Sequence, residues 1–211
     1  MKVLAVLGSK RTKGNTASLI EQALIPFQEL DYFSGETLFL GDMEFDGCTG
    51  CEGCARSNRC VIDDDMQHAY SLLREADAVI IGSPTYFYNV TSDMKKFIDR
   101  CYCFSSYNPK DRSVWTAEFD SGPRKFAGFI SICEQNSVDD MGYTPQILQK
   151  SFESLGFRTV FNQKVLHCFK AGEVKSRTEA MESAQSNGRK LRDTLILQSP
   201  ETHHLSTTLI P

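Results

Sequence analysis

The chain has 211 residues, 41% of them hydrophobic and 24% charged, with a formal net charge of −4. That is the composition of one globular domain with room for a sizeable core. It holds no apolar run long enough to cross a bilayer, and its Lys and Arg residues are scattered singly or in pairs rather than gathered into a nucleic-acid surface.

Strands and helices alternate along the chain. Val3 to Leu7 is a continuous apolar run, as expected of a central parallel strand covered on both faces. It turns polar at Gly8, too soon for a signal peptide, so the expected compartment is the cytoplasm. Leu19, Ile20, Ala23 and Leu24 fall at helical spacing, with Pro26 ending or bending that helix. A second strand is expected at Glu36–Leu40. A cysteine-rich insertion over 41–62 follows. Asp64 and Gln67 have capping-box spacing, ahead of a helical face of Met66, Tyr70 and Leu73. Ala76–Ile81 reads as the third strand, and Ser92 as the cap of a helix carrying Met94, Phe97, Ile98 and Cys101. Ser105–Arg124 lacks periodicity and is expected to be a long loop containing Trp115; with the preceding helix it is the candidate subunit interface. Phe126–Cys133 is the fourth strand. Ile147, Leu148, Phe152 and Leu155 mark a helix closed by Gly156, and Thr159–Leu166 is the fifth strand, with Asn162-Gln163 a candidate interruption. Ser176-x-x-Glu179 opens a last helix to about Leu197. Five strands alternating with helices predict a doubly wound parallel sheet. The expected layout is a single domain over 1–198 and a C-terminal tail over 199–211.

Two loops carry chemistry. The first strand runs into Gly8-Ser9-Lys10-Arg11-Thr12-Lys13-Gly14-Asn15-Thr16 and then a helix. Free backbone N–H groups and the positive end of a helix dipole make such a loop an anion site. It matches neither the P-loop nor G-x-G-x-x-G, and it suits a terminal phosphate monoester; the plainer reading is a polar turn with Asn15 as a cap. The third strand runs into Gly82-Ser83-Pro84-Thr85-Tyr86-Phe87-Tyr88-Asn89. Three consecutive aromatics cannot all face a core, so some must stand at the carboxyl edge of the sheet, where open α/β sheets bind ligands. In strand order 2-1-3-4-5 the two loops are neighbours at the switch point, and a ligand joining a phosphate to a flat ring there is FMN.

Cys48, Cys51, Cys54 and Cys60 form the run C-x2-C-x2-C-x5-C. In a reducing compartment such a run reads as metal-binding or redox-active. Its first intervals match a ferredoxin-type run, its last does not, and Val61 stands where a ferredoxin has proline. An iron–sulfur cluster, structural zinc, and free thiols or a partial disulfide stay open at this level. Cys101, Cys103, Cys133 and Cys168 read as packed thiols, Cys133 with the possibility of facing the flavin. The Asp63-Asp64-Asp65 triplet reads as helix capping, and His68, His167, His203 and His204 show no ligand spacing.

Gly8-Ser9-x-Arg11-x-x-Gly14-Asn15-Thr16, Gly82-Ser83-Pro84-Thr85-Tyr86-Phe87 and Met94-Lys95-x-Phe97-Ile98-Asp99-Arg100 together resemble the flavodoxin-like NAD(P)H-dependent FMN reductase superfamily, from residue 1 to about 165. Within it, the compact cysteine run looks like the iron–sulfur flavoproteins, which carry a [4Fe–4S] cluster near FMN and work as oligomers. The resemblance implies that Ser9, Arg11, Gly14, Asn15 and Thr16 hold the FMN phosphate. It also implies that Pro84, Thr85, Tyr86, Phe87, Tyr88 and Asn89 line the isoalloxazine ring. Cys133 and Glu134 would supply a third FMN loop, though the family's glycine-rich stretch is missing there. Cys48, Cys51, Cys54 and Cys60 would be the cluster ligands. The function so implied is electron transfer between a [4Fe–4S] cluster and FMN, in a homo-oligomer (dimer or tetramer), with NAD(P)H or a ferredoxin-type protein as donor. The alternative is an NAD(P)H-dependent FMN or quinone reductase without a cluster; a third reading is an electron carrier or redox sensor. No side chain is assigned as a general acid or base.

Overall fold

A computed structural model describes residues 1–55 and 57–198. The expected tail over 199–211, with His203 and His204, lies outside the described residues, as does Arg56 within the cysteine segment.

The strands are β1 (Lys2–Leu7), β2 (Ser34–Phe39), β3 (Ala78–Pro84), β4 (Ser105–Asn108), β5 (Asp111–Ala117), β6 (Lys125–Ile132) and β7 (Phe157–Val165). The helices are α1 (Asn15–Gln28), α2 (Met66–Glu75), α3 (Ser92–Arg100), α4 (Thr144–Glu153) and α5 (Thr178–Gln198). Five strands make one parallel sheet in the order β2-β1-β3-β6-β7. Counted within the sheet this is 2-1-3-4-5, the flavodoxin-like order, with the switch point between β1 and β3.

Alternation along β1 divides two cores. Val3, Ala5 and Leu7 face α1 and α5, packing with Leu19, Ile20, Phe27 and Leu191. Leu4 and Val6 face the other way, toward Tyr70 and Leu73 of α2, Met94 and Phe97 of α3, and Phe152 of α4. β1, β3 and β6 are buried on both faces, which is why their sequences read as unbroken apolar runs.

Several local expectations are corrected. The 105–124 segment holds an antiparallel hairpin, β4–β5, instead of a bare loop. Pro26 sits inside α1, which continues to Gln28. The cap of α3 is Thr91, whose hydroxyl accepts from the Met94 N–H, not Ser92. The reciprocal capping box at α2 does not form: Asp64 Oδ1 accepts from the Met66 N–H, but Gln67 Nε2 donates to the carbonyls of Cys60 and Ile62. A short 3-10 turn over Glu173–Ser176 precedes α5, which starts at Thr178.

Candidate functional site

A cavity of about 330 Å³ opens at the carboxyl edge of the sheet, between the loops that leave β1 and β3. Ser9, Arg11, Gly14, Asn15 and Thr16 line one side, and Pro84, Thr85, Tyr86 and Phe87 another. The first turn of α1 points at this space: Gly14 is its N-cap and no side chain caps it. Helix-start N–H groups without partners, with the helix dipole behind them, favour an anion there. Gly14 is required by close approach, since a Cβ would stand 2.9 Å from the Arg11 carbonyl oxygen. The Ser9 hydroxyl accepts from the Arg11 N–H at 3.1 Å and sets the turn.

Not every expected donor is free. Asn15 Nδ2 donates to the Lys170 carbonyl at 3.0 Å and its Oδ1 accepts from the Val174 N–H at 3.1 Å, so this side chain ties α1 to the segment after β7. Arg11 Nη1 donates to the Phe169 carbonyl at 3.2 Å, with the guanidinium 5.6 Å from the Phe169 ring centre.

On the ring side, Tyr86 and Asn89 exchange backbone hydrogen bonds of 2.7 and 3.1 Å. Between them Phe87 and Tyr88 take φ of +46° and +66°. Positive φ at two bulky residues is strained, of order 1–3 kcal/mol each. The turn leaves Phe87 96% exposed at the cavity rim. Thr85 Oγ1 lines the cavity and is buried with no hydrogen-bond partner among the described residues. An orphaned hydroxyl in a cavity wall is a donor and acceptor waiting for a ligand. A helix start for a phosphate, an aromatic rim for a flat ring and an unpaired hydroxyl between them fit FMN.

Three of the expected flavin residues stand outside the wall. Tyr88 and Asn89 belong to the outer turn, and Cys133 is buried with its Sγ donating to Gln135 Oε1 at 2.8 Å. Burial raises the Cys133 thiol pKa. Glu134 does line the cavity, together with Cys168 and Phe169, which sequence reasoning missed. The signal for them was topological: the chain leaving β7 must pass the same carboxyl edge as the loops after β1 and β3.

A second, tight cavity of about 30 Å³ lies on the α2–α3 side. Cys48, Cys51, Cys54 and Cys60 all line it, with Arg100, Tyr102 and Cys103 behind them. Cys103, read from sequence as a packing residue, is a fifth thiol of this cavity. Burial pushes it up to about 12, against the opposing effect of a backbone N–H from Cys60. The Gly53 N–H and the Thr49 side chain lower the pKa of Cys51, which favours its thiolate. Burial, and then the neighbouring cysteines, raise that of Cys54. Five soft sulfur donors suit iron–sulfur or zinc chemistry. Among the described residues, however, no three His, Cys, Asp or Glu side chains close on a single ion. That spacing is too open for zinc, which needs thiolates at about 2.3 Å from one point. A four-iron cluster spreads its ligands around its own volume, and the donor set fits it better.

The cavities share no lining residue. α3 joins them: Thr91 at its start donates to the Gly8 carbonyl at 2.5 Å, and Arg100 at its end lines the thiol cavity. Nine residues at 1.5 Å each give ~13 Å between those ends. The β4–β5 hairpin sits on the cysteine segment through Arg112–Glu52 and Ser106–Asn58, and none of its residues lines the flavin cavity.

Residues 1–119 match the family model described as NADPH-dependent FMN reductase. An iron-sulfur flavoprotein of Archaeoglobus fulgidus is 40% identical over 100 residues, 47% of this chain and 45% of that one. An iron-sulfur flavoprotein of Clostridioides difficile is 28% identical over 173 residues, 77% of this chain and 70% of that one. The alignments with the first of these relatives thus span about half of the relatives' length. In fold alone, an FMN-dependent NADH-azoreductase from Bacillus anthracis, solved in complex with FMN, is similar with a TM-score of 0.66 at 12% identity, over 90% of this chain and 99% of that one.

Proposed function

The chain belongs to the NADPH-dependent FMN reductase family, and on that premise we propose that it is an FMN-dependent oxidoreductase that passes electrons between FMN and a [4Fe–4S] cluster. The observation that carries this reading is the pairing, in one domain, of a ring-and-phosphate cavity at the switch point with a separate cavity lined by Cys48, Cys51, Cys54 and Cys60. The names of the relatives, iron-sulfur flavoproteins, support it.

Bound FMN supplies hydride and single-electron chemistry, and a cluster single-electron transfer. The chain's own residues bind, orient and shield. Ser9, Arg11, Gly14 and Thr16, with the α1 N–H groups, hold the phosphate; Asn15 braces the loop from behind. Pro84, Thr85, Tyr86 and Phe87 flank the ring, with Tyr88 and Asn89 shaping the turn and Glu134, Cys168 and Phe169 closing the far wall. Cys133 supports that wall from within. Cys48, Cys51, Cys54 and Cys60 ligate the metal centre. The electron donor is NAD(P)H or a ferredoxin-type protein. The exposed aromatic rim of Tyr86, Phe87, Tyr88 and Tyr143 supports a homo-oligomer, dimer or tetramer, with the rim covered by a second copy. The eight cysteines stand as free thiols, which suits the reducing cytoplasm. Among the described residues no helix is long and apolar enough to cross a membrane.

Anaerobic purification with flavin, iron and sulfide analysis tests the reading. It predicts one FMN and four irons per chain; absence of flavin, with no uptake of added FMN, contradicts it. The open spacing of the thiols favours a second reading, an NAD(P)H-dependent FMN or quinone reductase without a cluster. Flavin without iron, together with rapid saturable NAD(P)H turnover, is the result expected of that one.

A further inference from the structure

The largest fully buried side chain in the protein is a cation, Arg100, at 1% exposure. Burying a guanidinium costs free energy unless it is paired and hydrogen-bonded, and such a pair is weak evidence of stabilisation over an apolar residue. Arg100 ends α3 beside an apolar core that could have accepted a methionine or leucine. Its partners indicate what it does instead. Nη1 donates to the Asp46 carbonyl at 2.9 Å and to Asp64 Oδ2 at 2.6 Å, Nη2 to Asp64 Oδ1 at 2.9 Å, and Nε to the Tyr70 hydroxyl at 3.2 Å. Asp46 stands two residues before Cys48, and Asp64 four after Cys60. One planar fork therefore grips the entry and the exit of the cysteine segment together, and the same residue lines the thiol cavity.

We propose that Arg100 is the positioning residue of the cysteine site: it clasps both stems of the 46–64 segment and so presents the four thiols to one cavity before a metal centre is loaded. The inference rests on the cluster reading above. The segment has no strand or helix among its described residues, so closing it costs conformational entropy that packing of regular structure does not offset. Secondary bonds follow the clasp: the Asp46 N–H donates to Asp64 Oδ2 at 3.4 Å and the Glu44 N–H to Asp65 Oδ2 at 2.6 Å. Lysine cannot replace the fork, because it offers one point charge and no bidentate geometry.

The experiment uses the full chain, anaerobically reconstituted with ferrous iron and sulfide, as wild type, Arg100→Lys and Arg100→Gln. Iron per chain, FMN per chain, melting temperature and amide hydrogen exchange over residues 44–62 of the metal-free protein are measured. The clasp predicts that Arg100→Gln loads iron about 10- to 100-fold more weakly, the scale of lost outer-shell support. It also predicts lost exchange protection in 44–62 while FMN binding holds, with Arg100→Lys intermediate. A general packing role would lower FMN binding and iron together, and that result overturns the proposal. So does Arg100→Gln loading iron as wild type does, or keeping its 44–62 protection. A wild-type chain that takes up no iron overturns the cluster reading, and this inference with it. If Arg100→Gln does not fold, Asp64→Asn carries the same test, because it releases the exit stem while the guanidinium keeps Asp46 and Tyr70.

Discussion

The flavin cavity draws its walls from chain leaving the buried strands β1, β3, β6 and β7, whereas the thiol cavity is walled by a segment without regular structure, held at its stems by one arginine. Backbone N–H groups at the strand and helix ends supply much of the first site; side-chain sulfurs supply the second. The first is positioned by the sheet and so tolerates little change of backbone. The second is positioned by hydrogen bonds to a few side chains and tolerates loss of its ligands without loss of the fold. The two sites are therefore separable by mutation.

The largest effect expected is removal of Cys51 and Cys54 together, as Cys51→Ser/Cys54→Ser. Iron analysis should find the metal gone and flavin absorbance should find FMN retained; loss of both would show the sites to be one unit. The reverse separation comes from Gly142. It takes φ +52°, and a Cβ there would run into the Tyr88 backbone, beneath the aromatic turn. Gly142→Ala should cost about 1–3 kcal/mol at the ring loop, weakening FMN by roughly tenfold or more in a fluorescence titration and leaving iron unchanged.

Smaller effects probe the link between the sites. Thr91 both caps α3 and holds the Gly8 carbonyl. Thr91→Ala should lower stability by about 1 kcal/mol, read as a urea midpoint shift, with modest weakening of both FMN and iron. An unchanged midpoint would mean that α3 does not couple the cavities. The smallest effect is set by pH. Burial alone would raise the Asp64 carboxyl, but the Arg100 guanidinium and the Met66 and Asp46 N–H groups outweigh it and hold its pKa below the ordinary value. A depressed folded pKa gives stability that is present above the unfolded value, about 3.9, and lost as pH falls through the lower folded value. The urea midpoint gap between wild-type metal-free protein and Asp64→Asn should therefore be constant near neutrality and close below about pH 4. A gap that persists in acid would show the pair to be a packing element only.

The strand order was legible because apolar runs of the length of β1, β3 and β6 have few other uses, and the loops after β1 and β3 were legible because Gly14 and the Tyr86–Tyr88 aromatics are out of place in a core. What escaped was contact at long sequence separation. Asn15 has donor chemistry, but its amide is taken up by Lys170 and Val174, more than 150 residues away. Cys168 and Cys103 have the composition of packing residues, and only the fold places them in cavity walls. Arg100 reads as the exposed end of an amphipathic helix until the cysteine segment folds over it. The hairpin at 105–117 was hidden because its exposed strands lack alternation, all but the last residue of β5 facing solvent.

The central claim is that one chain carries a flavin site and a separate metal site. An absorbance spectrum of protein purified without oxygen, read with iron and FMN per chain, tests it most directly. The account predicts flavin peaks over a broad iron–sulfur shoulder, with one FMN and four irons. Flavin peaks alone, with no iron after reconstitution, would contradict it.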